Sequence, residues 1–142
     1  MNLNDLKEMC DKDTKPGIDL GGYSSSIPEL ANKYHQLLYG EKKILRFLET
    51  QYSIIKKERW KYYSGKANPD KYEKEPFDLK VLRNDIDMFL DADKLVKDIK
   101  DKVKEQEDKV ELIIDTAKVI QNASFNINNA IKWKKFLSGD IS

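Results

Sequence analysis

The pattern of apolar and polar positions predicts two long amphipathic helices, and the C-terminal one has the more regular pattern. Its apolar residues recur in alternating steps of three and four, with lysines and acids between them, and Asp91 or Asp93 is expected to cap it. A heptad seam of this length more often joins chains than folds back on its own chain, so we predict an oligomerisation helix. The predicted interface residues are Val96, Ile99, Val103, Val110, Ile113, Ala117, Ile120, Ile127 and Ile131.

The other long helix is predicted to begin at Ser26 and to end near Tyr63. Ser26-Ile27-Pro28-Glu29 has the sequence of a capping box, and a stripe of apolar residues at helical spacing follows it. Ser64-Gly65 is expected to end the helix. The segment from Lys66 to Pro76 is then predicted to be a charged loop.

The remaining segments give weaker signals. Leu3, Leu6 and Met9 predict a short N-terminal helix, and the glycines, proline and serines from Asp11 to Ser25 predict a flexible connector. Around residues 84–90 apolar and acidic residues alternate, which suits a short strand as well as a distorted helix. The fold is therefore predicted to be mainly α, with a short strand near 84–90 as an open alternative.

Charge is distributed unevenly along the chain. The formal net charge is only +1, but the segment from Lys42 to Lys66 holds eight cations against two glutamates, a net charge of +6. The segment from Asp85 to Asp115 is correspondingly rich in acids. A basic zone and an acidic zone in one chain suggest that a polyanion binds to one surface and a basic protein to the other, or that the chains associate head to tail.

The basic zone ends in a cluster of cations and aromatic rings at the predicted end of the first long helix. Positive charge contacts phosphates, and flat rings stack on unpaired bases, so the combination is typical of sequence-independent binding to single-stranded nucleic acid. On composition alone, a solvated helix end with its rings turned into the core is the alternative. The predicted binding residues are Lys56, Lys57, Arg59, Trp60, Lys61, Tyr62, Tyr63 and Lys66.

These patterns divide the chain into three predicted regions. Residues 1–25 form the short N-terminal helix and the flexible connector, residues 26–76 form the basic helical DNA-binding region with its loop, and residues 77–142 form the helical oligomerisation region. The length fits a single domain, or a single domain with an extension.

The sequence offers little for catalysis. Cys10 and His35 are the only residues of their types, and the many carboxylates alternate with lysines as on a solvated helix face. No phosphate-binding glycine loop and no stretch of about 20 apolar residues occurs. We therefore expect a soluble protein of a reducing cytoplasm that is not an enzyme, with no cofactor, metal site or membrane partner.

Two other functions are compatible with the residues. The first is a structural or adaptor coiled coil whose basic patch binds the acidic surface of another protein. The second, with less support, is a small metal-dependent enzyme that uses the aspartates of Asp85-Ile86-Asp87 and Asp91-Ala92-Asp93.

The stretch from Lys57 to Gly65, KERWKYYSG, followed by Asp70 to Lys74, DKYEK, resembles the UvsY recombination mediators of T-even-type tailed phages. The C-terminal segments 125–127 and 133–139 are similar to the ending of that family. The resemblance implies a helical homo-oligomer in the cytoplasm of an infected bacterial host. It further implies that the oligomer binds single-stranded DNA, contacts the phage single-strand DNA-binding protein and a RecA-like recombinase, and helps the second replace the first. By motif match, Lys57 and Arg59 would contact the DNA.

Overall fold

The computed structural model describes residues 1–139, and all of its regular elements are helical. No strand occurs in this part of the chain, so the predicted mainly α fold is confirmed. None of the described helices is long and apolar enough to cross a membrane. The elements are α1 (Leu3–Asp13), α2 (Leu20–Tyr63), α3 (Pro69–Lys74), a 3₁₀ turn (Arg83–Asp85), α4 (Ile86–Ala92) and α5 (Lys94–Leu137).

The segment near 84–90 is helical, so the alternative of a short strand there is wrong. Ile86 and Leu90 are buried, whereas Met88 between them is 63% exposed. Residues four apart share a face of a helix, but residues two apart share a face of a strand. The burial of this segment therefore follows a helical period, although its apolar residues alternate in the sequence.

The helix α2 begins six residues before the predicted capping box. Asp19 caps it, because its Oδ1 accepts a hydrogen bond of 2.8 Å from the Gly22 N–H. Ser26 lies inside the helix, and its hydroxyl donates to the carbonyl of Tyr23 at 2.6 Å. The predicted start at Ser26 is therefore wrong, and the link between α1 and α2 spans only residues 14–19.

The chain forms two compact units, of which the first joins Met1–Lys42 to the chain from Asp108 onward. Its core contains Leu6 and Cys10 of α1, Tyr34 of α2, and Ile113 and Ile120 of α5. The hydroxyl of Tyr34 also donates to Asp13 at 2.8 Å, at the end of α1. The N-terminal helix is therefore packed into the core of this unit, and is not a free segment.

The second unit, Lys43–Glu107, holds the predicted binding cluster. Ile86 and Leu90 of α4 and Val96 of α5 form its buried core. Tyr52, Ile55, Trp60 and Tyr63 of α2, together with Val81, pack against that core. The C-terminal end of α2 is thus held by α4 and the first turn of α5.

Much of the predicted oligomerisation seam is buried inside one chain. Val103 and Ala117 are half-buried, and Ile131 is exposed. The seam is therefore largely covered without a second chain, and contact between chains would have to use side chains that remain exposed. The seam residues buried within the chain are Val96, Ile99, Val110, Ile113, Ile120 and Ile127.

Candidate nucleic-acid interface

Arg59, one of the two cations expected to contact DNA, lies in the interior of the second unit and is 5% exposed. Its Nε donates to Asp93 Oδ2 at 2.7 Å. Its two terminal nitrogens, Nη1 and Nη2, each donate to a different carboxylate oxygen of Glu75 at 3.0 Å. This bidentate arrangement is the geometry in which arginine binds a carboxylate most strongly. The guanidinium therefore joins the end of α2 to the segments that follow it.

Asp93 completes this network and begins α5. Its Oδ1 accepts a hydrogen bond from the Val96 N–H at 3.1 Å, so its side chain caps the helix, as predicted for Asp91 or Asp93. Its Oδ2 accepts a hydrogen bond from the Tyr63 hydroxyl at 2.6 Å as well as the one from Arg59. The residue is 6% exposed, so its charge depends on these partners for stabilisation.

The pKa values in this network follow from its geometry. Burial alone would lower the pKa of Arg59, but hydrogen bonds with Glu75, Tyr63 and Asp93 raise it above the ordinary value. Burial would raise the pKa of Asp93, but hydrogen bonds from Tyr63, the Val96 N–H and Arg59 lower it. The hydrogen bonds from Arg59 lower the pKa of Glu75. All three groups are therefore held in their charged forms.

Aromatic rings hold the segment after α2 against the helix end. Tyr62 is buried and stacks on Tyr72 of α3, with 5.4 Å between the ring centroids and 16° between the planes. The Tyr62 hydroxyl donates to the carbonyl of Glu75 at 2.9 Å, and the Tyr72 hydroxyl donates to the carbonyl of Tyr62 at 2.8 Å. Tyr63 and Tyr62 each lie 5.3 Å from the ring of Phe77. The segment predicted to be a charged loop thus contains a short helix. The contacts of Tyr62 and Tyr72 hold this segment against the end of α2.

The four lysines of the predicted cluster, in contrast, are exposed: Lys56, Lys57, Lys61 and Lys66. None of them forms a salt bridge within residues 1–139. Lys57 and Lys61 lie four residues apart and so share a face of α2. Their charges are therefore available to an anionic ligand.

Trp60 is half-buried and forms one wall of an open cleft of about 280 Å³. The Nζ of Lys66 lies 5.1 Å from the centroid of its indole ring. Arg83 and Val81, from the segment before α4, line the same cleft. Sequence reasoning missed Arg83, because it lies 17 residues beyond Lys66 in a segment with no clear periodicity. The remaining lining residues are Ser64 and Ile86.

Comparison with protein families decides the relationship of this chain to known proteins. The family model described as "Recombination, repair and ssDNA binding protein UvsY" matches residues 9–140. The chain belongs to the UvsY family. The resemblance to the UvsY family is thereby confirmed. A search of curated protein sequences finds no match.

Solved structures of UvsY from bacteriophage T4, a recombination mediator protein, have the same fold as this UvsY-family chain. The lattice type II crystal structure matches with a TM-score of 0.84 and 22% identity, over 97% of this chain and 98% of that one. The lattice type IV structure matches with a TM-score of 0.80 and 21% identity, over 96% and 98% of the two chains. The lattice type I structure matches with a TM-score of 0.81 and 21% identity, over 93% of this chain and 98% of that one.

In this UvsY-family chain, the eight residues of the predicted DNA-binding cluster therefore fall into two groups. Arg59 and Tyr62 are buried and hold the loop after α2, and Tyr63 is half-buried against Phe77 and Asp93. The four lysines are exposed, and Trp60 lies between the core and the cleft. The helix end thus combines an inner scaffold with an outer cationic surface.

Proposed function

We propose that this chain is a non-enzymatic recombination mediator. It binds single-stranded DNA as an oligomer and promotes the loading of a RecA-like recombinase onto DNA that is covered by single-strand DNA-binding protein. The observation that supports this proposal is the surface at the end of α2, where four lysines are exposed and form no salt bridge in the described part of the chain, and where the ring of Trp60 is partly exposed beside Lys66. Unpaired cations and an accessible ring are the two requirements for binding a single strand without reading its sequence.

In this proposal Lys57 and Lys61 contact phosphates, whereas Arg59 acts as a positioning residue. A guanidinium whose three nitrogens already donate to Asp93 and Glu75 has little capacity left for a phosphate. Arg59 instead fixes the segment that follows α2 and thereby the surface that presents the lysines. Loss of either kind of residue would weaken DNA binding, but only loss of Arg59 would do so through the fold.

Homo-oligomerisation is proposed through apolar side chains that remain exposed at the end of α5. Trp133, Phe136 and Leu137 are 61%, 66% and 66% exposed, and the first two rings stack with 5.6 Å between centroids. Aromatic residues at the surface are enriched at protein interfaces. Several copies of a weak DNA-binding surface would then act on one strand, and such avidity raises affinity without any new contact.

The test of DNA binding is fluorescence anisotropy with a labelled single-stranded oligonucleotide at several salt concentrations. Lys57→Ala should weaken binding and lower the salt slope by about 0.7 per protomer, the value for one phosphate contact on a single strand. Lys102→Ala removes an exposed lysine of α5 and is the matched control, with no change expected. Equal effects of the two substitutions would contradict the proposal, and equal binding of poly-glutamate would favour an adaptor that binds acidic protein surfaces.

The mediator role needs a separate assay, namely strand exchange by a RecA-like recombinase on DNA precoated with single-strand DNA-binding protein. The wild-type chain should shorten the lag before exchange begins. The Lys57→Ala chain should shorten this lag much less. The same assay on uncoated DNA is the control, because no protein has to be displaced there. An unchanged lag on coated DNA with the wild-type chain would refute the mediator role and leave DNA binding intact.

A further inference from the structure

We infer that the cleft between the end of α2 and the segment before α4 takes one unstacked base of the bound single strand, with its phosphate held by Lys66 and Arg83. The inference rests on the proposed function and assigns it a specific subsite. The cleft is lined by three apolar residues, Trp60, Val81 and Ile86, and by Ser64 and the two cations. No carboxylate lines the cleft, although acidic residues are common nearby in the sequence.

The size of the cleft agrees with a single ring system. Its volume of about 280 Å³ lies just below the range of about 300–1,000 Å³ that is usual for sites of drug-sized ligands. A base has two flat faces and a polar edge, and therefore suits a space with an indole on one side and aliphatic side chains on another. A duplex would not fit, because its bases are already stacked on one another.

Lys66 and Arg83 both line the cleft, so their charges lie next to the space proposed for the base. Lys66 is exposed, and its Nζ lies 5.1 Å from the centroid of the Trp60 ring. A cation–π contact at an exposed lysine is weak, so an entering base can displace the ammonium group toward its own phosphate. Arg83 is exposed in the 3₁₀ turn and forms no salt bridge within residues 1–139. Its guanidinium can therefore donate hydrogen bonds to a second phosphate oxygen.

Two other clefts of the second unit lack this combination of groups. The apolar cleft that is lined by Ile55, Ala67 and Leu95 also contains Glu58 and the engaged Arg59. The cleft lined by Tyr52 and Val96 includes the carboxylates of Asp91 and Asp101. Unlike these two, the cleft beside Trp60 joins a partly exposed indole to two cations without an acid.

The experiment compares an oligo-dT strand with an abasic strand of the same length, in which the phosphates remain but the bases are absent. Trp60 is observed alone in a Trp133→Phe background, since the chain has only these two tryptophans and Trp133 lies outside the cleft. Oligo-dT should quench the fluorescence of Trp60 and should bind about 5- to 150-fold more tightly than the abasic strand, as expected for one stacked base. Equal quenching and equal affinity for the two strands would overturn the inference.

Arg83→Gln tests the phosphate contact, with Lys102→Gln of α5 as the control because Lys102 is also an exposed cation and lies outside the basic zone. Arg83→Gln should lower the salt slope by about 0.7 per protomer, and Lys102→Gln should leave it unchanged. Equal slopes for the two variants would overturn the inference while the proposed function stands. If the wild-type chain binds no single-stranded DNA at all, the proposed function fails together with the subsite, so the two failures are distinguishable.

Discussion

At the scale of single residues, Arg59 illustrates how a buried charge is made tolerable. An ionised side chain taken out of water costs several kcal/mol unless partners replace its hydration. Arg59 has two carboxylates as partners, and the pair with Asp93 is itself buried, with side chains only 6% and 4% exposed. The Tyr63 hydroxyl adds a further hydrogen bond to Asp93. Removing any member of this network leaves a charge without its partner.

The first prediction follows from this network. Arg59→Ala should lower the free energy of unfolding by about 3–5 kcal/mol, because it leaves Asp93 buried and unpaired. Lys57→Ala should change it by less than about 0.5 kcal/mol, because that side chain is exposed and makes no salt bridge in the described part of the chain. Urea denaturation followed by circular dichroism measures both values. Equal losses would mean that Arg59 is no more structural than its exposed neighbour.

The second prediction concerns pH. The folded chain lowers the pKa of Asp93 and of Glu75 from their ordinary values of 3.8 and 4.5, so each carboxylate contributes stability while it is ionised. This contribution is complete above about pH 5 and is lost as the pH falls through the lowered pKa values. The stability advantage of the wild type over Asp93→Asn should therefore be constant between pH 5 and pH 7 and should shrink toward pH 3. An advantage at pH 3 as large as the one at pH 7 would argue against an ionic role for Asp93.

The sequence indicated which residues belong to the cluster, but not which of them face the solvent. Lys57 and Arg59 are two residues apart, and at 3.6 residues per turn they point to nearly opposite sides of α2. The partners that draw Arg59 inward lie 16 and 34 residues away along the chain, at Glu75 and Asp93. No local pattern predicts such pairs. The alternative of rings turned into the core therefore applies fully to Tyr62, which is buried, and in part to Trp60 and Tyr63, which are half-buried and pack against the core of the second unit, whereas the lysines stay outside.

At the scale of elements, α2 begins before the position that its local sequence predicts, because a cap and a tertiary contact stabilise an earlier start. Ser26-Ile27-Pro28-Glu29 matches a capping box, and Gly21 and Gly22 are poor helix formers. Asp19 nevertheless caps the helix earlier, and the Tyr23 hydroxyl donates to the carbonyl of Asp13 at 2.7 Å. These contacts stabilise a first turn that propensity alone disfavours. In contrast, the end of α2 at Tyr63 and the cap of α5 at Asp93 could be predicted closely, because a stop signal and a capping residue stand next to a clear periodicity there.

The third prediction uses two glycines of α2. A Cβ at Gly40 would meet no atom within 4 Å, so Gly40→Ala should raise the free energy of unfolding by about 0.5–1 kcal/mol through its helix propensity. A Cβ at Gly22 would overlap the carboxylate of Asp19, so Gly22→Ala should displace the cap and lose that gain or reverse it. Thermal unfolding of the two variants measures the difference. A Gly22→Ala chain as stabilised as Gly40→Ala would show that the cap contributes little.

At the scale of the whole molecule, each unit has its own core, and both cores use residues of the predicted oligomerisation seam. A heptad pattern indicates that a helix packs against an apolar partner, but it does not indicate whether that partner belongs to the same chain. Ile113 and Ile120 pack in a cluster with apolar residues of α1 and α2, and Val96 packs in a cluster with apolar residues of α4 and α2. Three separate packing partners for one helix could not be inferred from its period alone.

The fourth prediction separates folding from association. Ile113→Ala should destabilise the chain by about 2–5 kcal/mol, because Ile113 is fully buried and its loss leaves a cavity. Trp133→Ala combined with Phe136→Ala should leave the stability of the protomer nearly unchanged but lower the mass in solution, because both rings are exposed. Chemical denaturation and multi-angle light scattering give the two readouts. An unchanged mass in the double variant would remove these rings from the proposed interface between chains.

The single cysteine provides a way to measure how often the N-terminal helix of the first unit opens. Cys10 lies on the buried face of α1 and is 4% exposed, in the cluster that contains Tyr34, Ile113 and Ile120. A thiol reagent can reach its sulfur only when α1 lifts away, so the rate of labelling under native conditions measures how often that opening occurs. Asp13→Ala removes the partner of Tyr34 and Lys33 at the end of α1, and should accelerate labelling more than it lowers the global stability. Equal changes in the two quantities would mean that α1 opens only when the whole chain unfolds.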